Sequence, residues 1–209
     1  MIEKISLRDQ VREYLIESIL SGKITPGDPI SLAEIARQIE VSVTPIREAL
    51  NQLQRNNLIQ AITNRGFILA PLSLEEAMEI YPIISNLESM AVKNATYSKK
   101  DIDQIKKANQ KFAGAKSTRD SVVRDNDFHM ALVSPYQNQY LKRILSDLKV
   151  RLILYEVEFL NDPELTVQSV AQHEEIIALL KKGEKESASD ALVCNWEESM
   201  IFLQKNFNR

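Results

Sequence analysis

The sequence predicts a mainly α protein in two parts: an N-terminal winged helix-turn-helix over residues 1–72 and an all-α bundle of about six helices over residues 73–209. Three observations carry this. Glycine (5) and proline (7) are scarce in 209 residues, so little interrupts the helix formers. Apolar residues recur at i, i+3, i+4 and i+7 through most of the chain. Only "LIQAITNRGFILAPL" has β character, on both sides of Asn64-Arg65-Gly66, and reads as a short hairpin closed by Pro71.

The elements follow in order. "SLRDQVREYLIESILSG" places Leu7, Val11, Leu15, Ile16, Ile19 and Leu20 at helical spacing, with Ser6 to cap the start and Gly22 to end it. "KITPGDPI" is a turn cluster, in which Pro26-Gly27 favours a tight turn and Pro29 blocks helix. "SLAEIARQIE" is a short helix with Ser31 and Glu34 as a capping box. "EVSVTPIREALNQLQRNN" puts Pro45 in a first turn, where its missing N–H costs nothing. Ile46, Ala49, Leu50 and Leu53 then mark the buried face, and Ser42 or Thr44 can cap. Beyond Ser73, which with Glu76 fits a second capping box, a long helix runs past Pro82 with a kink expected there. Further helices read over 98–115, 118–133, 138–160, 167–182 and 184–207, with breaks at "SPYQN", "NDPE" and "KKGEKE".

Composition narrows the function. Net charge is -3, so no global basic field exists and any nucleic-acid contact must be local. Residues 1–71 carry eight basic and eight acidic side chains, so even the N-terminal part is neutral. One cysteine, Cys194, excludes an internal disulfide and fits a reducing cytoplasm. The N-terminus has no apolar core of a signal peptide, and no stretch approaches the roughly 20 apolar residues of a membrane span.

"G-x-I-x-P-G", then "E-x-A-x-x-x-V-S-x-T-P-x-R-E-A-L-x-x-L", then "N-R-G-F" resemble the DNA-binding domain of GntR-family transcription regulators over residues 7–70. The later helices, with "D-N-D-F-H" and "Q-H-E-E-I-I", look like the FCD effector domain of the FadR-type subgroup in its six-helix form. The helix from Pro45 would then be the recognition helix, its N-terminus in the major groove of double-stranded DNA. Ser42 and Thr44, with nearby backbone N–H groups, would meet phosphates. Arg47 would reach a guanine edge or a phosphate. Arg65 at the hairpin tip would form the wing, with Gly66 allowing close backbone approach to the minor groove. The chain departs from the family at Val43 and Ala33, where basic residues are usual, and at Glu40, where glycine is usual. Modest affinity, an unusual operator, or a thymine methyl read by Val43 is then expected. One such domain binds weakly, so a homodimer on a pseudo-palindromic operator is expected.

Asp125 and His129 are four residues apart on one helical face, and His173 lies on a later helix. They are matched by the resemblance to the family's metal ligands, and the N/O donor set suits Zn²⁺, Ni²⁺ or Mn²⁺. Asn195 falls where the family has a further histidine. Three readings stay open: Asn195 is a weak fourth ligand, three protein ligands are completed by water or an effector carboxylate, or the residues hold an organic ligand without metal. The family's carboxylate-binding arginine falls at Ile84, and Arg151, with Tyr155 one turn on, is the replacement expected here. The function implied is a ligand-responsive repressor controlled by a small organic acid, and not an enzyme. The rivals are a metal or metabolite sensor with weakened DNA binding and a metal-dependent hydrolase using Asp125, His129 and His173.

Overall fold

In a computed structural model, residues 6–54, 57–63, 66–160 and 162–207 are described. They divide between Leu72 and Ser73 into two compact units. The first holds α1 (Leu7–Leu20), β1 (Pro29–Ile30), α2 (Leu32–Gln38), α3 (Val43–Leu53), β2 (Ile59–Ile62) and β3 (Gly66–Leu69); the second holds α4 (Leu74–Asn94), α5 (Lys99–Ala113), α6 (Thr118–Val133), α7 (Gln139–Phe159), α8 (Pro163–Lys182) and α9 (Lys185–Asn206). The architecture is the mainly α one that periodicity and composition predict.

In the first unit, Val11, Leu15 and Ile19 of α1 meet Ile35 of α2 and Ile46, Leu50 and Leu53 of α3 in one core. Ser6 caps α1 by accepting from the Asp9 N–H at 3.2 Å. The hairpin forms, with Ile59 opposite Leu69 and Ala61 opposite Phe67. The turn cluster adds something its residues did not suggest. Pro29 and Ile30 pair with Ile68 and Phe67 as a third antiparallel strand, giving the order β1-β3-β2. Proline is tolerated because β1 is an edge and needs no inward N–H at that position.

Both expected capping boxes are one-sided. Ser31 Oγ accepts from the Glu34 N–H, but the Glu34 carboxylate turns to Lys23 at 2.8 Å. Ser73 Oγ accepts from the Glu76 N–H, while Glu76 is claimed by Arg151 and Tyr155. The reciprocal box is at Ser98 and Asp101 of α5. α8 begins four residues before the expected start. Asp162 caps it, accepting from the Glu164 N–H at 2.8 Å, and Pro163 takes the first helical position. "NDPE" is thus a helix start of the same kind as Pro45, and not only a break. Pro82 sits inside α4, which continues to Asn94, and Asn86 Nδ2 donates to the Pro82 carbonyl at 2.7 Å.

The bundle core includes Tyr81, Ile84, Ile105, Phe128, Leu145, Ile176 and Leu192. Each such side chain contributes roughly 1.5–3 kcal/mol by leaving water. Among the described residues no helix is long and apolar enough to cross a membrane.

Candidate metal centre and recognition helix

α6 carries Asp125 and His129 on one face, and α8 brings His173 against them. Asp125 Oδ2 lies 3.6 Å from His129 Nε2, and Asp125 Oδ1 lies 3.6 Å from His173 Nε2. One donor atom from each residue falls within 4.8 Å of the others. Both histidines are buried, while Asp125 keeps partial exposure.

Neighbouring helices fix the rings. Asn109 of α5 donates through Nδ2 to the Val170 carbonyl at 3.2 Å, so its Oδ1, 3.0 Å from His173 Nδ1, is the acceptor. The proton of a neutral His173 therefore sits on Nδ1, and Nε2 offers its lone pair inward. Nε2 has no hydrogen-bond partner. Burial, then the nearby His129, hold the imidazole pKa well below its usual value, so the ring is neutral. Phe128 stacks on it at 3.6 Å. His129 Nδ1 lies 2.7 Å from Glu88 Oε2, which also accepts from Trp196 Nε1 at 2.8 Å. Glu88 Oε1 pairs with Lys149 Nζ at 2.8 Å. Burial opposes the Glu88 charge, but Lys149 and His129 overcome it and bring the carboxyl down to about 2. Carboxylate and carboxamide partners behind the rings, with the His173 Nε2 free in front, form the outer support that metal-binding histidines require. An orphaned buried Nε2 facing a carboxylate fits a divalent ion with nitrogen and oxygen ligands.

Asn195 is buried beside His173. Its Nδ2 donates to Gln172 Oε1 at 2.7 Å, so its carbonyl oxygen is the group left for an ion. Cys194 next to it is exposed.

Arg151 and Tyr155 are not at this cluster. The Arg151 guanidinium grips Glu76, with Nε 3.1 Å from Oε1 and 3.0 Å from Oε2. Tyr155 donates its hydroxyl to Glu76 and accepts from the Ser73 N–H at 3.2 Å. Burial and Glu76 push Tyr155 up to about 12. The replacement expected for the family arginine is thus a clasp of α7 on the start of α4, its guanidinium already matched by a carboxylate. Ile84 is fully buried, as an apolar residue facing the core should be.

The residue of α7 next to this clasp was missed in the sequence. Glu156 lines a narrow cleft of about 30 Å³ together with Asp125, room for little more than a water. Burial, then Asp125, push its carboxyl up to about 8. Tyr81, buried with no hydrogen-bond partner for its hydroxyl, is raised well above the usual phenol value by burial and then by Glu156. A signal existed for these groups. Ile84-Glu88-Ala91 in α4, Leu145-Lys149-Leu152-Glu156 in α7 and Ile105-Asn109-Phe112 in α5 each put a polar side chain on the apolar stripe.

In the first unit, α3 begins at Val43, so Ser42 stands in the N-cap position and Thr44 within the first turn. Ser42, Thr44, Arg47, Glu48 and Asn51 are exposed, and Val43 among them is 40% exposed. Ile46, Ala49, Leu50 and Leu53 face the core. Gly66 opens β3 with φ 86°, and an added Cβ would meet nothing within 4 Å, so conformation and not space demands glycine. Arg65 lies outside the described residues. Glu40, at the turn position where glycine is usual, has φ 55°.

A three-helix unit with a three-stranded wing, joined in one chain to a six-helix bundle with a buried carboxylate–dihistidine cluster, defines a DNA-binding regulator with a sensing domain. The family of bacterial regulatory proteins, gntR family, matches residues 7–69, and the FCD domain matches residues 79–197. The chain belongs to the GntR family of transcriptional regulators and carries its FCD domain. It is 26% identical over 205 residues to the uncharacterized HTH-type transcriptional regulator YdhC of Bacillus subtilis, covering 93% of this chain and 90% of that one. It is 30% identical over 196 residues to the Nta operon transcriptional regulator of Aminobacter aminovorans, covering 91% and 88%. The HTH-type transcriptional regulator McbR of Escherichia coli is 25% identical over 216 residues, covering 100% of this chain and 97% of that one. The McbR structure matches with a TM-score of 0.83 over 98% of this chain and 100% of that one.

Proposed function

We propose that the chain represses transcription as a cytoplasmic homodimer on a pseudo-palindromic operator, and that a small effector entering the bundle beside a divalent ion changes its hold on DNA. The observation that carries the DNA half is the two-faced α3, with four apolar side chains in the core and Val43, Thr44, Arg47, Glu48 and Asn51 outside. In this reading Ser42 and Thr44 meet phosphates, Arg47 reads a base edge or grips a phosphate, and Val43 packs on a thymine methyl. Gly66 and, by the family resemblance, Arg65 would serve as the wing's contacts to DNA.

The sensing half rests on the orphaned His173 Nε2 facing Asp125. Asp125, His129 and His173 would hold Zn²⁺, Ni²⁺ or Mn²⁺, with the Asn195 carbonyl oxygen as a weak fourth donor. The bound ion would supply positive charge and an open position for an effector oxygen. Glu88 and Asn109 keep the two imidazoles turned, and the Phe128 ring keeps water from His173. An organic acid, the effector class the family resemblance implies, would meet Asp125 and Glu156 and so depend on the ion's charge. Ligand binding that favours one arrangement of the dimer's two DNA-binding units over another appears as a coupling free energy between the sites.

The test is a gel shift on duplexes from the region upstream of the chain's own gene, at low salt, with candidate effectors and ions. A saturable shift with wild type, weakened by Arg47→Ala and altered by an effector, is the expected result. No shift under any condition would overturn the regulator reading.

A further inference from the structure

The carboxamide of Asn195 ends a chain of hydrogen bonds whose direction is set at the other end, by Glu198. Glu198 lies one turn further along α9 and is half-buried. A carboxylate only accepts. Gln168 and Gln172, one turn apart on α8, both donate Nε2 to Glu198 Oε2, Gln172 at 2.6 Å. With its amide nitrogen so engaged, Gln172 presents Oε1 to Asn195, whose Nδ2 donates to it at 2.7 Å. Turning Asn195 over would set its oxygen against the Gln172 oxygen. Turning Gln172 over would set an oxygen against the Glu198 carboxylate. One carboxylate therefore fixes the polarity of both amides, and Asn195 Oδ1 is the atom left over.

That oxygen stands at the cluster. Gln172 precedes His173 in α8, and Trp196, next to Asn195 in α9, rests its ring 4.4 Å from that of His129. Asn195 itself is only 3% exposed. Burial and then His129 hold the His173 pKa down, and Asn195 works against them, as an oxygen turned toward the ring does and an amide N–H does not. The element offered at this position matters to an ion. An imidazole nitrogen suits Zn²⁺ and Ni²⁺, whereas a carbonyl oxygen suits Mn²⁺. The imidazoles of His129 and His173 still serve Zn²⁺, so what the oxygen changes is the ratio of the two affinities.

Resting on the metal reading above, we propose that Glu198 and Gln172 are positioning residues for the ion. They hold Asn195 with its oxygen toward Asp125, His129 and His173, and that oxygen shifts the preference of the site from Zn²⁺ toward Mn²⁺.

Calorimetry of Mn²⁺ and Zn²⁺ into the chelator-treated full chain reads both affinities. Asn195→His should raise the ratio of Zn²⁺ to Mn²⁺ affinity about tenfold or more. Glu198→Ala should weaken Mn²⁺ about tenfold, and Zn²⁺ less, although Glu198 stands two hydrogen bonds away from Asn195. In the Asn195→His chain the same Glu198→Ala change should cost nothing, a difference that a general loosening of α8 and α9 would not produce. Circular dichroism checks each fold, and the half-buried Glu198 gives a test by itself if Asn195→His does not fold. An unchanged ratio in Asn195→His, or a Glu198→Ala loss that is absent or is the same in both backgrounds, overturns the proposal. If wild type takes neither ion, the metal reading falls and this proposal with it; if wild type binds an ion and any of those results is seen, this proposal alone falls.

Discussion

His173 Nε2 and Asp125 Oδ1 lie 3.6 Å apart. That is too long for a hydrogen bond. It is close to the separation of about 3.4 Å between two donor atoms that each sit about 2.1 Å from a tetrahedral ion. His129 Nε2 makes the same 3.6 Å approach to the other oxygen. The three side chains form a group that could hold an ion.

Glu88 is the anion behind this arrangement, serving His129, Trp196 and Lys149 at once. Removing one member of a buried ion pair costs about 3–5 kcal/mol, because the other charge stays buried. Glu88→Gln should lower stability by about that much in denaturant unfolding. Lys149→Met in the same chain should recover a large part of the loss. If Glu88→Gln alone costs less than about 1 kcal/mol, the pair is not holding the helices.

The raised carboxyl of Glu156 gives a signed pH dependence. Its pKa is about 8 folded against the ordinary 4.5, so between these values the folded state holds a proton the unfolded state has released. Its stabilising contribution is full below about 4.5 and lost as pH rises through 8. His173 acts in the opposite direction only below its ordinary 6.5, since its folded value is lowered. From pH 6.5 to 8, metal-free wild type should therefore lose about 1–2 kcal/mol relative to Glu156→Gln, by urea unfolding at each pH. Parallel pH curves for the two proteins would contradict this.

Glu40 offers a test of backbone strain. At φ 55° a residue with a Cβ pays about 1–2 kcal/mol, while glycine gives back about 0.5–1 kcal/mol in chain entropy. Glu40→Gly should raise stability by about 0.5–1 kcal/mol, seen as a higher denaturant midpoint at unchanged slope. A loss of stability would show that the Glu40 side chain holds the turn.

Much of this was legible in the residues. Periodicity located α1 to α3 and the six bundle helices, because a buried stripe must repeat every three to four positions. Asp125, His129 and His173 were legible because two share a helical face and the third completes the family's pattern. β1 was not, since two residues in a turn cluster carry no period and pair only because β3 is there. The start of α8 was lost because Pro163 reads as a breaker unless Asp162 is recognised as a cap. The pairing of Arg151 is tertiary and left no local signal. Its partner Glu76 is 75 residues away and was already given a local role as a cap. Glu88 and Glu156 needed the inverse reading, in which a charge on an apolar stripe is the signal.

Val43 is 40% exposed on the side of α3 turned away from the core. If it packs on a thymine methyl, Val43→Arg should lower the preference for the natural operator over a duplex changed at that base pair by about 1–3 kcal/mol. It should also steepen the salt dependence by about one phosphate contact. Anisotropy titrations at several salt concentrations check both, and an unchanged preference would free Val43 from any reading role.

Calorimetric titration of Zn²⁺, Ni²⁺ and Mn²⁺ into chelator-treated protein decides whether Asp125, His129 and His173 hold a divalent ion. One ion per chain is expected, with binding abolished in Asp125→Ala and in His173→Ala. Refusal of all three ions by wild type, or undiminished binding in both variants, would contradict it.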